Sequence, residues 1–324
     1  MTIGLIAPAS AVRDVKHIDE ATENLEAVGF RVKHGRHIRD KYGYLASNDA
    51  NRLADFHRMF DDKKVDAIMC VRGGYGTGRI VSAIDFDLVR RNPKIFIGFS
   101  DITMLNLALL RHCKLVNFNG PMAASTFACA FPSAFGSAGM LRTLCFAEAA
   151  GSIWQHHEDR DYQVIRAGQA AGRLTGGNLS LLAAAAGTPY QMQANNAIVF
   201  IEEVDERPYS IDRMLTQLLE SGSLKGARGI VVGRNMPHKD FADVEAEAAK
   251  RAKRTVRGLP RRVSREREIL MNDVFYDRLA PLGVPVLTGL PFGHIDDYAT
   301  LPLGVKASME TRTGDLVIEE SAVS

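Results

Sequence analysis

Ile95-Phe96-Ile97-Gly98-Phe99-Ser100-Asp101-Ile102-Thr103 is the stretch on which the reading of this 324-residue chain turns. Ile95 to Phe99 is an apolar run of β-branched and aromatic residues behind Asn92-Pro93, which is the signature of a buried strand. Thr103-Met104-Leu105-Asn106-Leu107-Ala108-Leu109-Leu110 is rich in good helix formers. Ser100 therefore sits on a sharp strand-to-helix turn, with its hydroxyl exposed and the following backbone N–H groups directed at whatever it attacks. The pattern lacks the second glycine of the usual hydrolase elbow. By itself the motif also fits a serine that only caps the helix.

Outward from this elbow, strands alternate with helices. Ile3-Gly4-Leu5-Ile6-Ala7 reads as a buried strand, Val15 to Val28 as a helix stopped by Gly29, and Arg31 to His34 as a more polar strand. Asn48-Asp49 can cap a helix through Leu53, Phe56, Met59 and Phe60. Val65 to Val71 is a further buried strand, and it ends in Arg72-Gly73-Gly74-Tyr75-Gly76-Thr77-Gly78. This alternation predicts an α/β fold whose N-terminal domain is a doubly wound, mostly parallel sheet. Ligands bind such sheets at the carboxyl ends of the strands, and both the glycine-rich turn and Ser100 fall there. The pattern dissolves between Ala147 and Ala170. The expected organisation is an N-terminal nucleophile domain over 1–150, a linker over 151–170, and a second, smaller α/β domain over 171–324. In that second part, Ala197 to Ile201 and Gly229 to Val232 read as strands, Tyr209 to Leu219 as a helix, and Gly304 to Glu319 as a hairpin turning at Thr313-Gly314-Asp315.

Composition narrows the function classes. Apolar residues make up 46% and charged residues 24%, with a net charge of +2, so nothing favours nucleic acid or a membrane surface as partner. Cys70, Cys113, Cys129 and Cys145 form no Cys-x-x-Cys pair, which argues against zinc and redox motifs and for thiols in a reducing compartment. Neither a metal nor a cofactor is expected. Met1 to Ala9 lacks a basic leader and reads as a first strand; with no membrane-length apolar run, a cytoplasmic protein is expected.

A nucleophilic serine needs a base, and the base needs an orienting group. Of nine histidines, His17, His34, His37, His57, His112, His156, His157 and His238 lie in polar segments and read as surface residues. His294 differs, because it follows the apolar turn Leu290-Pro291-Phe292-Gly293. Glu202 ends the buried strand Ile198-Val199-Phe200-Ile201, where a carboxylate is costly unless paired.

Val71-Arg72-Gly73-Gly74-Tyr75-Gly76, Ile97-Gly98-Phe99-Ser100-Asp101-Ile102-Thr103, Gly176-Gly177-Asn178-Leu179, Phe200-Ile201-Glu202-Glu203-Val204, Ile211-Asp212-Arg213 and Gly289-Leu290-Pro291-Phe292-Gly293-His294 occur in this order. The ordered set resembles the LD-carboxypeptidase family of serine peptidases, which also holds the microcin-C immunity peptidases. The resemblance runs from Ile6-Ala7-Pro8 to Leu301-Pro302-Leu303-Gly304. It implies a Ser-Glu-His triad falling on Ser100, Glu202 and His294, divided between the two domains. It further implies a cytoplasmic murein tetrapeptide as substrate, cut at its L,D bond to free terminal D-alanine in cell-wall recycling, and a homodimer. Glu203 stands where the family often has aspartate, and Lys250 to Glu268 looks like a basic insertion.

For an attack by Ser100, oxyanion donors are expected at the backbone N–H of Asp101 and in Gly73-Gly74. A carboxypeptidase must hold a free carboxylate, for which Arg72 and Arg213 are candidates, with Tyr75 against the substrate. Two other readings compete. One is an immunity peptidase cleaving an aminoacyl-nucleotide antibiotic. The other is a phosphate- or nucleotide-binding module built on Gly74-Tyr75-Gly76-Thr77-Gly78, which lacks both P-loop and dinucleotide spacing.

Overall fold

The computed structural model describes residues 1–128, 133–155, 160–234 and 270–324. Lys250 to Glu268, His156, His157, His238 and Cys129 lie outside the described residues. The strands in chain order are β1 (Thr2–Ile6), β2 (Arg31–His34), β3 (Ala67–Cys70), β4 (Ile95–Ile97), β5 (Asn117–Asn119), β6 (Ala149–Ser152), β7 (Gln163–Arg166), β8 (Gln169–Asn178), β9 (Ala197–Glu202), β10 (Gly229–Gly233), β11 (Val286–Leu290), β12 (Leu301–Leu303), β13 (Lys306–Glu310) and β14 (Asp315–Ser321).

The first sheet runs β12-β5-β4-β3-β1-β2, parallel throughout except for β12. Its parallel part has the doubly wound order 2-1-3-4-5, which opens a crevice at the carboxyl ends of β1 and β3. Alternation along the strands separates two cores. Ile6, Ile68, Cys70 and Phe96 face the Asp49–Asp61 and Thr103–Cys113 helices. Leu5, Ala67, Met69 and Ile97 face the Lys16–Ala27 and Ala134–Cys145 helices. The Asp49–Asp61 helix starts where expected, with the Asn48 side chain accepting from Asn51 N–H (2.9 Å).

The second sheet runs β6-β14-β13-β8-β9-β10-β11-β7, with a parallel centre from β8 to β11 and antiparallel flanks. This second sheet has eight strands and the first has six. Two of its strands, β6 and β7, fall at 149–152 and 163–166, the second of them inside the 151–170 stretch expected as a linker. β6 and β7 are short, half-exposed edge strands, and such strands lack the apolar run that marks a buried one. Between them Trp154 is buried, its Nε1–H donating to the Gly314 carbonyl (2.6 Å) in the turn of the β13–β14 hairpin. The chain then returns, and β12 pairs with β5 at the edge of the first sheet, where Pro302 is tolerated.

The two sheets share one apolar core. Residues of the Thr103–Cys113 helix, among them Met104, Leu107 and Ala108, cluster with Leu179, Leu182, Val199, Ile201 and Ile211 of the second half. No helix among the described residues is long and apolar enough to cross a membrane.

Candidate active site

Ser100 has φ +63°, a left-handed conformation rare for residues with a side chain. It opens the short helical turn Ser100–Ile102, which runs into the Thr103–Cys113 helix. Holding a non-glycine residue there costs about 1–2 kcal/mol, so the surrounding structure must impose it. Three contacts do so. Asn106 Nδ2 donates to the Gly98 carbonyl (3.0 Å), fixing the strand exit. The buried Asp101 carboxylate accepts from Thr77 N–H (2.9 Å). Thr77 Oγ1 donates to the Asp101 carbonyl (2.6 Å). Burial raises the Asp101 pKa, although the N–H groups of Thr77 and Gly76 and the nearby Arg52 oppose that rise.

These bonds press the glycine-rich turn onto the serine. A Cβ on Gly73 would lie 2.9 Å from Ser100 Cβ, 3.1 Å from its Oγ and 3.3 Å from the Asp101 nitrogen. Among the described residues neither the Gly73 nor the Gly74 N–H donates to a backbone carbonyl, so both are available as donors. Ser10, in the loop after β1, braces the turn from behind: its Oγ accepts from Tyr75 N–H (3.1 Å) and its N–H donates to the Gly73 carbonyl (3.3 Å). Buried Arg52 ties the same turn to β1, donating to the Gly76 carbonyl (2.9 Å) and to the Pro8 carbonyl. Gly73→Ala is therefore expected to cut kcat about 10²- to 10³-fold by displacing the Ser100 hydroxyl and the neighbouring N–H groups together. Gly78→Ala, whose added carbon meets only Met104 Cε at 3.9 Å, should keep the wild-type rate. Steady-state kinetics of both variants checks this, and a Gly73→Ala enzyme retaining a third of wild-type kcat would remove the turn from the site.

The second sheet brings the other two residues to the same place. Thr103 Oγ1 accepts from Asn178 N–H (3.0 Å), while Gly177 lets β8 approach so closely that a Cβ would lie 2.4 Å from Thr103 Cγ2. Asn178 pairs in register with Glu202 on β9. Glu202 is fully buried, and its Oε2 accepts from His294 Nδ1–H (2.7 Å). The His294 ring packs 4.9 Å, centroid to centroid, from Phe99, the neighbour of Ser100. Contacts thus close a circuit from Ser100 through Thr103, Asn178, Glu202, His294 and Phe99 back to Ser100. Among the described residues Ser100 Oγ and His294 Nε2 are not hydrogen-bonded to one another; such bonds commonly tighten only when substrate binds.

Burial, the largest influence on His294, pushes its pKa down. The Glu202 hydrogen bond and charge, with the charge of Glu203, outweigh it and leave the imidazole above its ordinary value. Among the described residues Glu202 Oε1 is buried without a hydrogen-bond partner, and the polar contact the side chain makes is with the histidine. Glu203 is occupied differently: it accepts from Asn178 Nδ2 (3.0 Å), Ser180 N–H (2.8 Å), Ser180 Oγ (2.7 Å) and Val204 N–H (2.9 Å), anchoring the start of the Leu179–Ala185 helix.

The substrate-binding candidates separate. Arg72 is half-buried on the turn, donates to the Ala11 carbonyl (3.2 Å) and has no carboxylate partner among the described residues. Burial and the neighbouring Arg13 charge make its own charge less favourable than usual. Tyr75 is exposed and packs edge-on against exposed Tyr44, with centroids 5.7 Å apart. Arg213 is exposed on the Pro208–Glu220 helix, beside an Asp212–Arg278 ion pair, and no contact joins it to Ser100, Glu202 or His294. Thr77, Thr103, Asn178 and Arg52 were given no role from sequence. Thr103 and Asn178 lie inside quoted motifs, but nothing local shows that they bond to each other.

Family models match in two successive pieces: an LD-carboxypeptidase N-terminal domain over residues 3–120 and an LD-carboxypeptidase C-terminal domain over 171–309. A probable murein peptide carboxypeptidase of Bacillus subtilis is 39% identical over 98% of this chain and 91% of its own. The crystal structure of muramoyltetrapeptide carboxypeptidase from Oxalobacter formigenes superposes with a TM-score of 0.81 at 30% identity, covering 99% of each chain. That of an MccF-like protein from Bacillus anthracis gives 0.80 at 25% identity, over 98% of this chain and 96% of that one. With both halves matched in order and sheets that superpose end to end on a solved relative, this chain belongs to the LD-carboxypeptidase family and is a serine-type carboxypeptidase hydrolase.

Proposed function

We propose that the chain removes terminal D-alanine from murein tetrapeptides at the L,D bond, using Ser100 as nucleophile, His294 as base and Glu202 as the group that orients the base. The observation that carries this is the buried 2.7 Å Glu202–His294 bond beside a serine held at φ +63°. Ser100 Oγ attacks the carbonyl carbon and His294 Nε2 takes its proton. The oxyanion takes hydrogen bonds from the Asp101 amide and from Gly73 or Gly74. As the C–N bond breaks, His294 returns the proton to the departing D-alanine amine. Water, activated by the same histidine, then hydrolyses the acyl-enzyme and restores Ser100.

Arg72 is the better partner for the substrate's terminal carboxylate. A half-buried guanidinium with no carboxylate of its own gains most from an anion, and its fork matches one bidentately. Arg72→Lys should raise KM for a tetrapeptide about tenfold or more and leave KM for the tetrapeptide amide within twofold; equal losses on both would exclude carboxylate recognition. Recycling in the cytoplasm fits the free cysteines Cys70, Cys113 and Cys145. A homodimer is the assembly that the family resemblance implies, and sedimentation would read it.

The deciding test is mass spectrometry of a tetrapeptide ending in D-alanine incubated with the enzyme. Loss of one alanine, with all other bonds intact, is the expected result. An unchanged tetrapeptide, alongside hydrolysis of an aminoacyl-nucleotide, would replace this substrate by that of the immunity peptidases.

A further inference from the structure

One cavity lies away from Ser100. It has a volume of about 780 Å³ and opens at the opposite edge of the second sheet, between the end of the Thr103–Cys113 helix, the start of β8, the 191–197 segment and the turn after the Pro208–Glu220 helix. Arg173 and Ala197 are paired at this edge and Asn178 and Glu202 at the other. Five residues of strand, about 16 Å, separate the two.

The lining has a definite chemistry. It carries Arg111, Lys114, Arg173 and Lys225 and no acidic residue. Arg173 is already engaged by Glu320 (3.0 Å), and Arg111 donates to the Gln191 carbonyl (2.9 Å). Lys114 and Lys225 have no ion pair or side-chain hydrogen bond among the described residues. The floor is apolar, and its accessible part is formed by the half-buried side chains of Leu110 and Val116. Cations gathered around an apolar floor in a concave site suit a ligand with a charged head and a carbon body. A bare inorganic ion would satisfy the rim and leave the floor unused.

We infer that this cavity is a second ligand site, separate from the catalytic one, that takes a small organic phosphate with its head between Lys114 and Lys225 and its carbon skeleton on Leu110 and Val116. The inference does not rest on the proposed peptidase substrate.

Calorimetric titration of the full-length protein with phenyl phosphate and with inorganic phosphate, at matched ionic strength, tests it. Phenyl phosphate should bind saturably at one site and at least tenfold more tightly than inorganic phosphate. The exposed and unpartnered ammonium groups can be removed without disturbing the fold, and the Lys114→Gln/Lys225→Gln variant should bind phenyl phosphate at least tenfold more weakly. Arg72→Gln should bind it as the wild type does. No saturable binding, equal affinity for the two phosphates, an unaffected double-lysine variant, or a loss that follows Arg72 would each overturn the assignment.

Discussion

Ser100→Ala and Ser100→Gly are both expected to lose at least about 10⁴-fold in kcat/KM, yet to differ in stability in opposite senses from what activity alone suggests. Alanine keeps the strain of a Cβ at φ +63° and should unfold close to wild type. Glycine has no such penalty at positive φ and should be stabilised by about 1 kcal/mol. The strain is the cost of presenting Oγ beside Gly73 and the Asp101 amide. Chemical denaturation combined with single-turnover kinetics on the tetrapeptide measures both quantities on the same samples. An alanine variant above 1% of wild-type activity would end the nucleophile assignment. A glycine variant no more stable than alanine would show that the elbow is held without strain, leaving the chemistry intact but not this account of it.

The elbow could be read locally because everything that makes it is local. A β-branched run, one serine and a run of helix formers occupy consecutive positions, and the structure places β4, the turn and the helix there. The glycine-rich turn was legible for the same reason. Glu202 and His294 were individually suspicious, one for its burial cost and one for its apolar turn, but 92 positions separate them and no local pattern states that they bond. That pairing is set by sheet register: Asn178 opposite Glu202, with Asn178 clasped to Thr103. The outer strands of the second sheet were less legible. β6 and β7 are short and partly exposed, so they carry too little apolar periodicity to separate them from a connection. The burial of Trp154 under the β13–β14 turn, with its indole bonded to the Gly314 carbonyl, shows that β6 is followed by a held residue and not by a free connection. Arg213 illustrates the opposite limit: its motif was legible, but its exposure on a helix surface was not.

Glu202→Gln is the sharper test of the paired groups, because it should change rate and pH dependence in ways that a structural role would not. An amide at Oε2 can present N–H to the imidazole, favouring the tautomer whose Nε2 carries the proton and therefore cannot accept one from Ser100. A loss of about 10³- to 10⁴-fold in kcat is expected. With His294 as the proposed base, the acid limb of the pH–rate profile for kcat/KM is expected to report its deprotonation in the free enzyme. In the wild type that limb should lie above 6.5, since the Glu202 bond and charge more than offset burial. Removing the charge leaves burial, which opposes the imidazolium, with only Glu203 to counter it. The limb should therefore move to lower pH, so that the residual activity of Glu202→Gln persists into more acidic solution than that of the wild type. Nitrogen-detected NMR of the His294 ring would read the same shift without catalysis. If the limb and the NMR titration both stayed where the wild type has them, Glu202 would be a packing residue, and the closed circuit of contacts around Ser100 would need another source for its base.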